Sequence, residues 1–186
     1  MNTRFKAVAA VALATAAACG PTNTIPAASI NNVIDTVTLG AIIGTPLTIP
    51  SGYSVALARP IRTDIESNFD FVFSIDTLDL PVFLTTQVLR ITSLSPLRPG
   101  FIESSVPFDS MMTAPLNGYI TDRPFSAAKG KTYYMRSSLV CTSLSSALYG
   151  KLEVIDYDPV SREVIFRALV DSNCGYHSLR VGRPTY

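Results

Sequence analysis

The residue types that most often carry enzyme chemistry are few in this chain. The sequence has a single histidine, His177, with Asp171 and Ser178 close to it along the chain. A Ser-His-Asp triad is an arrangement in space, so nearness in sequence supports one only weakly. The chain also lacks the Gly-x-Ser-x-Gly turn that presents the nucleophile in many hydrolases. We therefore interpret His177 as an ordinary core or surface histidine, assign no catalytic residue, and keep a hydrolase only as a distant alternative.

Carboxylates close together in sequence suggest metal binding or glycoside hydrolysis. A tetrahedral zinc site lacks ligands, because the chain has one histidine and no Cys-x-x-Cys pair. Calcium needs several oxygen ligands at close spacing, and the chain has no EF-hand loop. Aspartates at hairpin tips usually form turns, so we expect no metal and no cofactor. The acidic residues in question are Asp64, Glu66, Asp70, Asp76, Asp79, Asp156 and Asp158.

Tyrosine and arginine residues concentrate in the C-terminal half of the chain. Both types are enriched where protein surfaces meet partners. The alternative is that the tyrosines cap sheet edges and the arginines belong to loops. The sequence has no tryptophan, which counts against a carbohydrate-binding platform. The possible partner surface consists of Tyr133, Tyr134, Arg136, Tyr157, Tyr176, Arg180 and Arg183.

The N-terminal 18 residues have the composition of a secretory signal peptide. Arg4 and Lys6 give a positive start without any acid, and residues 7–18 are a run of small apolar residues broken only by Thr15. A positive start, a short apolar run and small residues at its end are typical of cleaved export signals. The run is shorter than the about 20 apolar residues that cross a bilayer. We therefore expect export, with residues 1–18 removed.

The end of this segment resembles the lipobox of bacterial lipoproteins. Ala16, Ala17 and Ala18 precede Cys19, with the departure that Ala16 stands where the family usually has leucine. The resemblance implies a cysteine that is acylated and becomes the first residue of the mature chain, anchored to the lipid bilayer. Gly20 follows it instead of the aspartate that marks inner-membrane retention, which favours the outer membrane. The alternative is cleavage after Ala18 by the ordinary signal peptidase.

Lipidation of Cys19 would also explain why the chain has an odd number of cysteines. Cys141 and Cys174 then remain, and an exported protein meets an oxidising compartment in which they can form a disulfide. Such a bond closes a loop of about 34 residues, which the chain-entropy model values at about 3 to 4 kcal/mol. A structural disulfide is favoured over a redox or metal-binding pair.

Length and charge indicate one domain that does not bind nucleic acid. Removing the first 18 residues takes away two of 15 basic residues and none of 14 acidic ones, which changes the net charge from +1 to −1. No concentrated basic face of the kind that nucleic acid requires is visible. Residues 20–32 contain Pro21 and Pro26 and no amphipathic period, so we assign residues 19–32 to a tether. Residues 33–186 are expected to form one domain of ordinary size.

Short alternating apolar runs separated by turn residues predict an all-β fold. An antiparallel β-sandwich, Ig-like or jelly-roll-like, is favoured, with a closed β-barrel as the alternative. The strongest signal is a hairpin whose arms, residues 151–157 and 162–170, flank a turn that begins with Asp158 and Pro159. Residues 143–149 are expected to form a short helical turn. The expected strands cover residues 33–39, 53–57, 69–75, 82–84, 87–92, 118–121, 131–140, 151–157 and 162–170.

These features together predict a protein of the bacterial cell envelope. We expect a membrane-tethered lipoprotein with a non-catalytic β domain that binds an envelope protein or has a structural role. The alternative is a β module that binds a small ligand or glycan, for which a cavity lined by aromatic residues would be needed.

Overall fold

The computed structural model describes residues 25–92 and 95–185. The expected signal segment, Cys19 and the first part of the expected tether lie outside the described residues. Two short 3-10 helices, Phe108–Ser110 and Thr142–Leu144, accompany ten strands. The strands are β1 (Ile34–Gly40), β2 (Gly52–Ser54), β3 (Arg59–Ile61), β4 (Phe71–Ile75), β5 (Pro81–Thr85), β6 (Gly100–Ser104), β7 (Phe125–Ser126), β8 (Thr132–Cys141), β9 (Ser146–Asp158) and β10 (Glu163–Asp171).

The strands form two five-stranded antiparallel sheets that pack face to face. Sheet A has the order β1-β10-β9-β8-β6, and sheet B has the order β3-β2-β4-β5-β7. This architecture confirms the predicted β-sandwich, and the described strands do not close into the alternative barrel. None of the helices in the described residues is long and apolar enough to cross a membrane.

Aromatic side chains fill the space between the two sheets. Phe71 and Phe83 of sheet B lie with ring centroids 5.3 Å apart, and Phe71 lies 4.9 Å from Phe101 of sheet A. These edge-to-face contacts are the geometry that aromatic pairs prefer. Phe166 of β10 is 5.8 Å from Phe83 and is wholly buried, on the face that its alternation with Val164 and Ala168 in the sequence predicts to be apolar. Burial of these rings is therefore the main interaction that holds the sheets together.

The C-terminal hairpin follows the sequence prediction closely. β9 pairs with β10 from Asp158↔Glu163 to Tyr149↔Asp171, with one irregularity beside Phe166. The carboxylate of Asp158 accepts a hydrogen bond from Val160 N at 2.8 Å, which confirms it as a turn-forming residue. The hydrogen bond and nearby donors lower the pKa of Asp158.

Several local predictions were wrong or only partly right. Residues 118–121 were expected to be a strand, but they belong to none of the ten strands described, and Ile120 makes an isolated bridge to Phe101. Residues 87–92 form a turn instead of a strand, because their main chain bonds locally, as in Ile91 N to Thr86 O at 2.9 Å. The short helical turn expected at residues 143–149 is present only at their start, in the 3-10 helix Thr142–Leu144, because β9 begins at Ser146. Alternation along the expected strand 69–75 predicts that Asp70, Val72 and Ser74 face solvent, but all three are buried.

Asp70 is buried because its carboxylate connects the two sheets. Oδ2 accepts Val55 N at 2.7 Å and Ala56 N at 3.4 Å, next to β2 of sheet B. Oδ1 accepts Ser138 N at 3.1 Å, in β8 of sheet A. Burial raises the pKa of Asp70, while these three N–H donors oppose that shift. The residue therefore satisfies main-chain groups of both sheets at one end of the sandwich.

Burial also raises the pKa of Tyr53, Tyr119 and Tyr133. A phenol whose folded pKa lies above its unfolded value of about 10 binds its proton more tightly in the folded state, so stability falls as pH rises above about 10. As the pH is raised, absorbance at 295 nm is expected to show two groups of tyrosines. The first group ionises while the protein stays folded. The second group, which includes the three buried phenols, ionises only when the circular dichroism of the folded protein is lost. A single titration of all tyrosines at unchanged circular dichroism would contradict the burial of these three phenols.

Candidate functional site

A disulfide fixes the segment that follows the last strand. Cys141, at the end of β8, is bonded to Cys174 with a Cα–Cα distance of 5.6 Å, which confirms the predicted pairing. Gly175 follows with a φ of 85°, a conformation that favours glycine. A side chain at this position would collide with Ile25 and Leu144. The bond and the turn bring the C-terminal segment back along the edge of sheet A.

Asp171 organises the turn between β10 and the C-terminal segment. Its Oδ1 accepts hydrogen bonds from the main-chain N and Nδ2 of Asn173, and its Oδ2 accepts Ser178 N at 3.0 Å. Asp171 is fully buried. Since both carboxylate oxygens bind the turn, Asp171 has a structural role, and no hydrogen bond in the described residues joins it to His177.

Residues near the end of the expected tether are docked on this C-terminal segment. Asn173 Oδ1 accepts the N–H groups of Ser29 and Ile30 at 2.9 and 3.0 Å, and Ala28 N donates to the Tyr176 hydroxyl. Asn32 pairs with Gly182 through two main-chain hydrogen bonds of 2.9 Å. Residues 28–32, assigned to the tether from the sequence, therefore contact the domain through specific hydrogen bonds.

Beside these contacts lies a cavity of about 440 Å³, which we call the His177 cavity. An isolated bridge between Thr113 and Ser178 brings the loop after β6 against the C-terminal segment and forms one wall. Two of the lining residues, His177 and Arg180, carry basic groups, and none of the described residues that line the cavity has a carboxylate side chain. The lining residues are Met112, Thr113, Gly175, Tyr176, His177, Ser178, Arg180 and Thr185.

A second depression opens next to the His177 cavity and shares Met112 and Arg180 with it. Its floor includes Lys151, which is only 4% exposed. The Lys151 ammonium donates to the carbonyl oxygens of Phe108 and Met111 at 2.9 Å each, and it lies 4.5 Å from the centroid of the Phe108 ring. Burial lowers the pKa of Lys151. Its bonds hold the 3-10 helix Phe108–Ser110 on the outer face of sheet A.

Substitution of Lys151 by methionine is expected to lower the free energy of unfolding by about 2 kcal/mol. Methionine has a similar length, but it leaves the buried Met111 carbonyl without a donor, which costs about 1 to 3 kcal/mol. The Phe108 carbonyl loses its second donor and keeps Met111 N, and removal of a buried charge offsets part of the loss. Urea unfolding of K151M measures this effect, with the exposed K129M as the matched control. Equal stabilities of K151M and K129M would contradict the role given to Lys151.

The predicted partner surface is not one surface. Tyr133 is fully buried between the sheets, donating to Ser126 O at 2.7 Å, so including it was wrong. Its neighbour Tyr134 lies on the opposite face of sheet A. Tyr157, near the tip of the β9–β10 hairpin, contacts Phe73 of sheet B with ring centroids 5.9 Å apart. Arg183 is exposed on the C-terminal segment.

Arg136 belongs to a cluster on the outer face of sheet A. Its guanidinium lies 4.8 Å from the centroid of the Tyr119 ring and donates to Arg98 O. Tyr119 in turn lies 5.9 Å from Tyr149. Of the seven residues predicted from the sequence, only Tyr176 and Arg180 meet at the His177 cavity.

Sequence reasoning did not identify Met112 and Thr113 as site residues. They come from a loop without regular strands, more than 60 positions before His177, and the Thr113–Ser178 bridge pairs this loop with the C-terminal segment. Within the described ranges no group of three or more His, Cys, Asp or Glu residues is placed to hold a metal ion.

Comparison of the chain with protein-family models, curated proteins and solved structures finds no match in any of the three. The fold and the site define an all-β sandwich protein with one disulfide and a basic, hydroxyl-lined cavity.

Proposed function

We propose that this chain is an exported lipoprotein of the bacterial envelope, whose β-sandwich is held at a membrane by acylated Cys19 and has a binding role. The observation that supports this most directly is the bond between Cys141 and Cys174. A disulfide of this kind is typical of proteins folded outside the cytoplasm. It leaves Cys19 as the single remaining cysteine, at the end of a signal-like segment.

The docking of the N-terminal segment supports a short connection between domain and membrane. Ile25 packs against Gly175 beside the disulfide. Cys19 precedes Ile25 by six residues, and six residues span at most about 20 Å even when fully extended. An anchor at Cys19 would therefore keep the disulfide, the His177 cavity and the exposed Arg180 close to the lipid headgroups.

Membrane fractionation tests this proposal. In a bacterial host with an outer membrane, the wild-type chain is expected in the membrane pellet, and C19S in the soluble periplasmic fraction. G20A keeps the cysteine and is the matched control, which should remain in the pellet. Wild type and C19S in the same fraction would contradict lipid anchoring at Cys19.

A small-ligand role is the form of binding that the described geometry favours. The His177 cavity, at about 440 Å³, is in the range of small-molecule sites, and most of the residues that line it are polar. The expected tyrosine and arginine partner surface, by contrast, is divided between the core and separate faces of the domain. We therefore place the binding role at this cavity.

A further inference from the structure

The side chains at the His177 cavity favour an anionic ligand. The basic side chains are those of His177 and Arg180, and neither makes a hydrogen bond or ion pair with another described residue. The hydroxyls of Thr113 and Ser178 add further donors that are likewise without side-chain partners among the described residues. A wall of donors with no carboxylate among its described lining residues attracts negative charge and offers it several hydrogen bonds.

Two carboxylates near the cavity, those of Asp171 and Asp109, are bonded to other groups and form no ion pair with Arg180. Asp171 lies behind the turn, where its oxygens accept from Asn173 and Ser178. Asp109 lines only the neighbouring depression and pairs with Arg167 at 2.9 Å. The positive charge of Arg180, which is exposed, is therefore available to a ligand.

We propose that the His177 cavity binds a phosphate group, with Arg180 as its charged ligand, the imidazole of His177 as a hydrogen-bond donor and Thr113 and Ser178 as hydroxyl donors. A phosphate has several acceptor oxygens around one centre, which suits donors arriving from two different segments of the chain. The phosphate of a lipid headgroup and a soluble phosphate share this chemistry.

Two observations favour a lipid headgroup as the source. Exposed apolar residues flank the basic ones on the bridged segments: Val181 is 65% exposed, Val33 54% and Met112, at the rim of the cavity, 44%. Basic and apolar side chains in alternation are typical of surfaces that lie at the membrane interface. The second is the short reach from Cys19 to Ile25, an argument that rests on the proposed function.

The single histidine makes the cavity directly observable. A full-length C19S chain labelled with ¹⁵N-histidine has one imidazole, that of His177. At constant pH and ionic strength, titration with inorganic phosphate is expected to shift its ring signals saturably. R180Q should weaken the apparent affinity about tenfold, because it removes a charge-assisted donor. K129Q removes an exposed charge that pairs with Asp156 and does not line the cavity, so this variant should match the parent chain.

A second titration distinguishes the two sources. Dihexanoyl phosphatidylglycerol, kept below its micelle concentration, should shift the same signals, and dihexanoylglycerol without the phosphate should not. A response to inorganic phosphate alone would support a site for soluble phosphate and overturn the headgroup source. No response to either phosphate compound, or equal affinities for R180Q and K129Q, would overturn the proposal. Because C19S cannot be acylated at that position, these outcomes do not depend on the fractionation result.

Discussion

Replacing Asp70 by alanine is expected to lower the free energy of unfolding by about 3 kcal/mol. Alanine leaves the N–H groups of Val55 and Ser138 without acceptors, and each orphaned buried donor costs about 1 to 3 kcal/mol. The loss is reduced because alanine also removes a carboxylate whose burial is unfavourable, as its raised pKa indicates. Urea unfolding followed by circular dichroism measures the change.

Asparagine at the same position separates the hydrogen bonds from the charge. D70N keeps one carbonyl oxygen as an acceptor but presents an NH₂ group to the other donors, so its stability should lie between those of wild type and D70A. D156A, which removes a carboxylate that is 59% exposed, is the matched surface control and should unfold like wild type within about 0.5 kcal/mol. If D70A were as stable as D156A, the connection between the sheets through Asp70 would be wrong.

Removing the disulfide in a C141S/C174S chain is expected to cost about 3 to 4 kcal/mol. The bond joins residues 33 positions apart, and its loss releases that constraint from the unfolded chain. The wild-type protein unfolded with a reducing agent present should lose a similar amount, which controls for effects of the serines. Unfolding midpoints independent of both the substitution and the reductant would contradict a stabilising disulfide.

The same variant should loosen the His177 cavity before the sandwich itself unfolds. Cys174 holds the turn that places Asn173, and Asn173 accepts the N–H groups of Ser29 and Ile30. Hydrogen exchange at these two amides is therefore expected to accelerate in C141S/C174S more than exchange within β9. Uniform acceleration throughout the domain would indicate that the disulfide stabilises only the global fold.

The sequence predicted best where a local pattern decides the structure. The alternation of Val164, Phe166 and Ala168 identified the buried face of β10, and the Asp158 turn defined the hairpin. β6 was missed because residues 100–104 contain only two apolar side chains. β7 has only two residues and pairs with β5 through Val82↔Ser126 and Phe83↔Phe125, a long-range contact without a local signal.

The site could be predicted only in part, because its parts come together through long-range contacts. The pairing of Cys141 with Cys174 followed from their number once Cys19 was assigned to lipidation. Tyr133 was misjudged because composition does not show that it points between the sheets, whereas Tyr134 points outward. The loop that carries Met112 reaches the cavity through the Thr113–Ser178 bridge, and no local sequence pattern predicts this long-range pairing.

The most direct test of the account is whether Cys19 carries lipid. Cells expressing the wild-type chain or C19S are grown with a clickable palmitate analogue, and the purified proteins are compared for incorporated label. If Cys19 is acylated, the wild type is strongly labelled and C19S is not, and C141S/C174S is labelled like the wild type when normalised to protein. Equal labelling of wild type and C19S, or no labelling of either, would contradict acylation of Cys19.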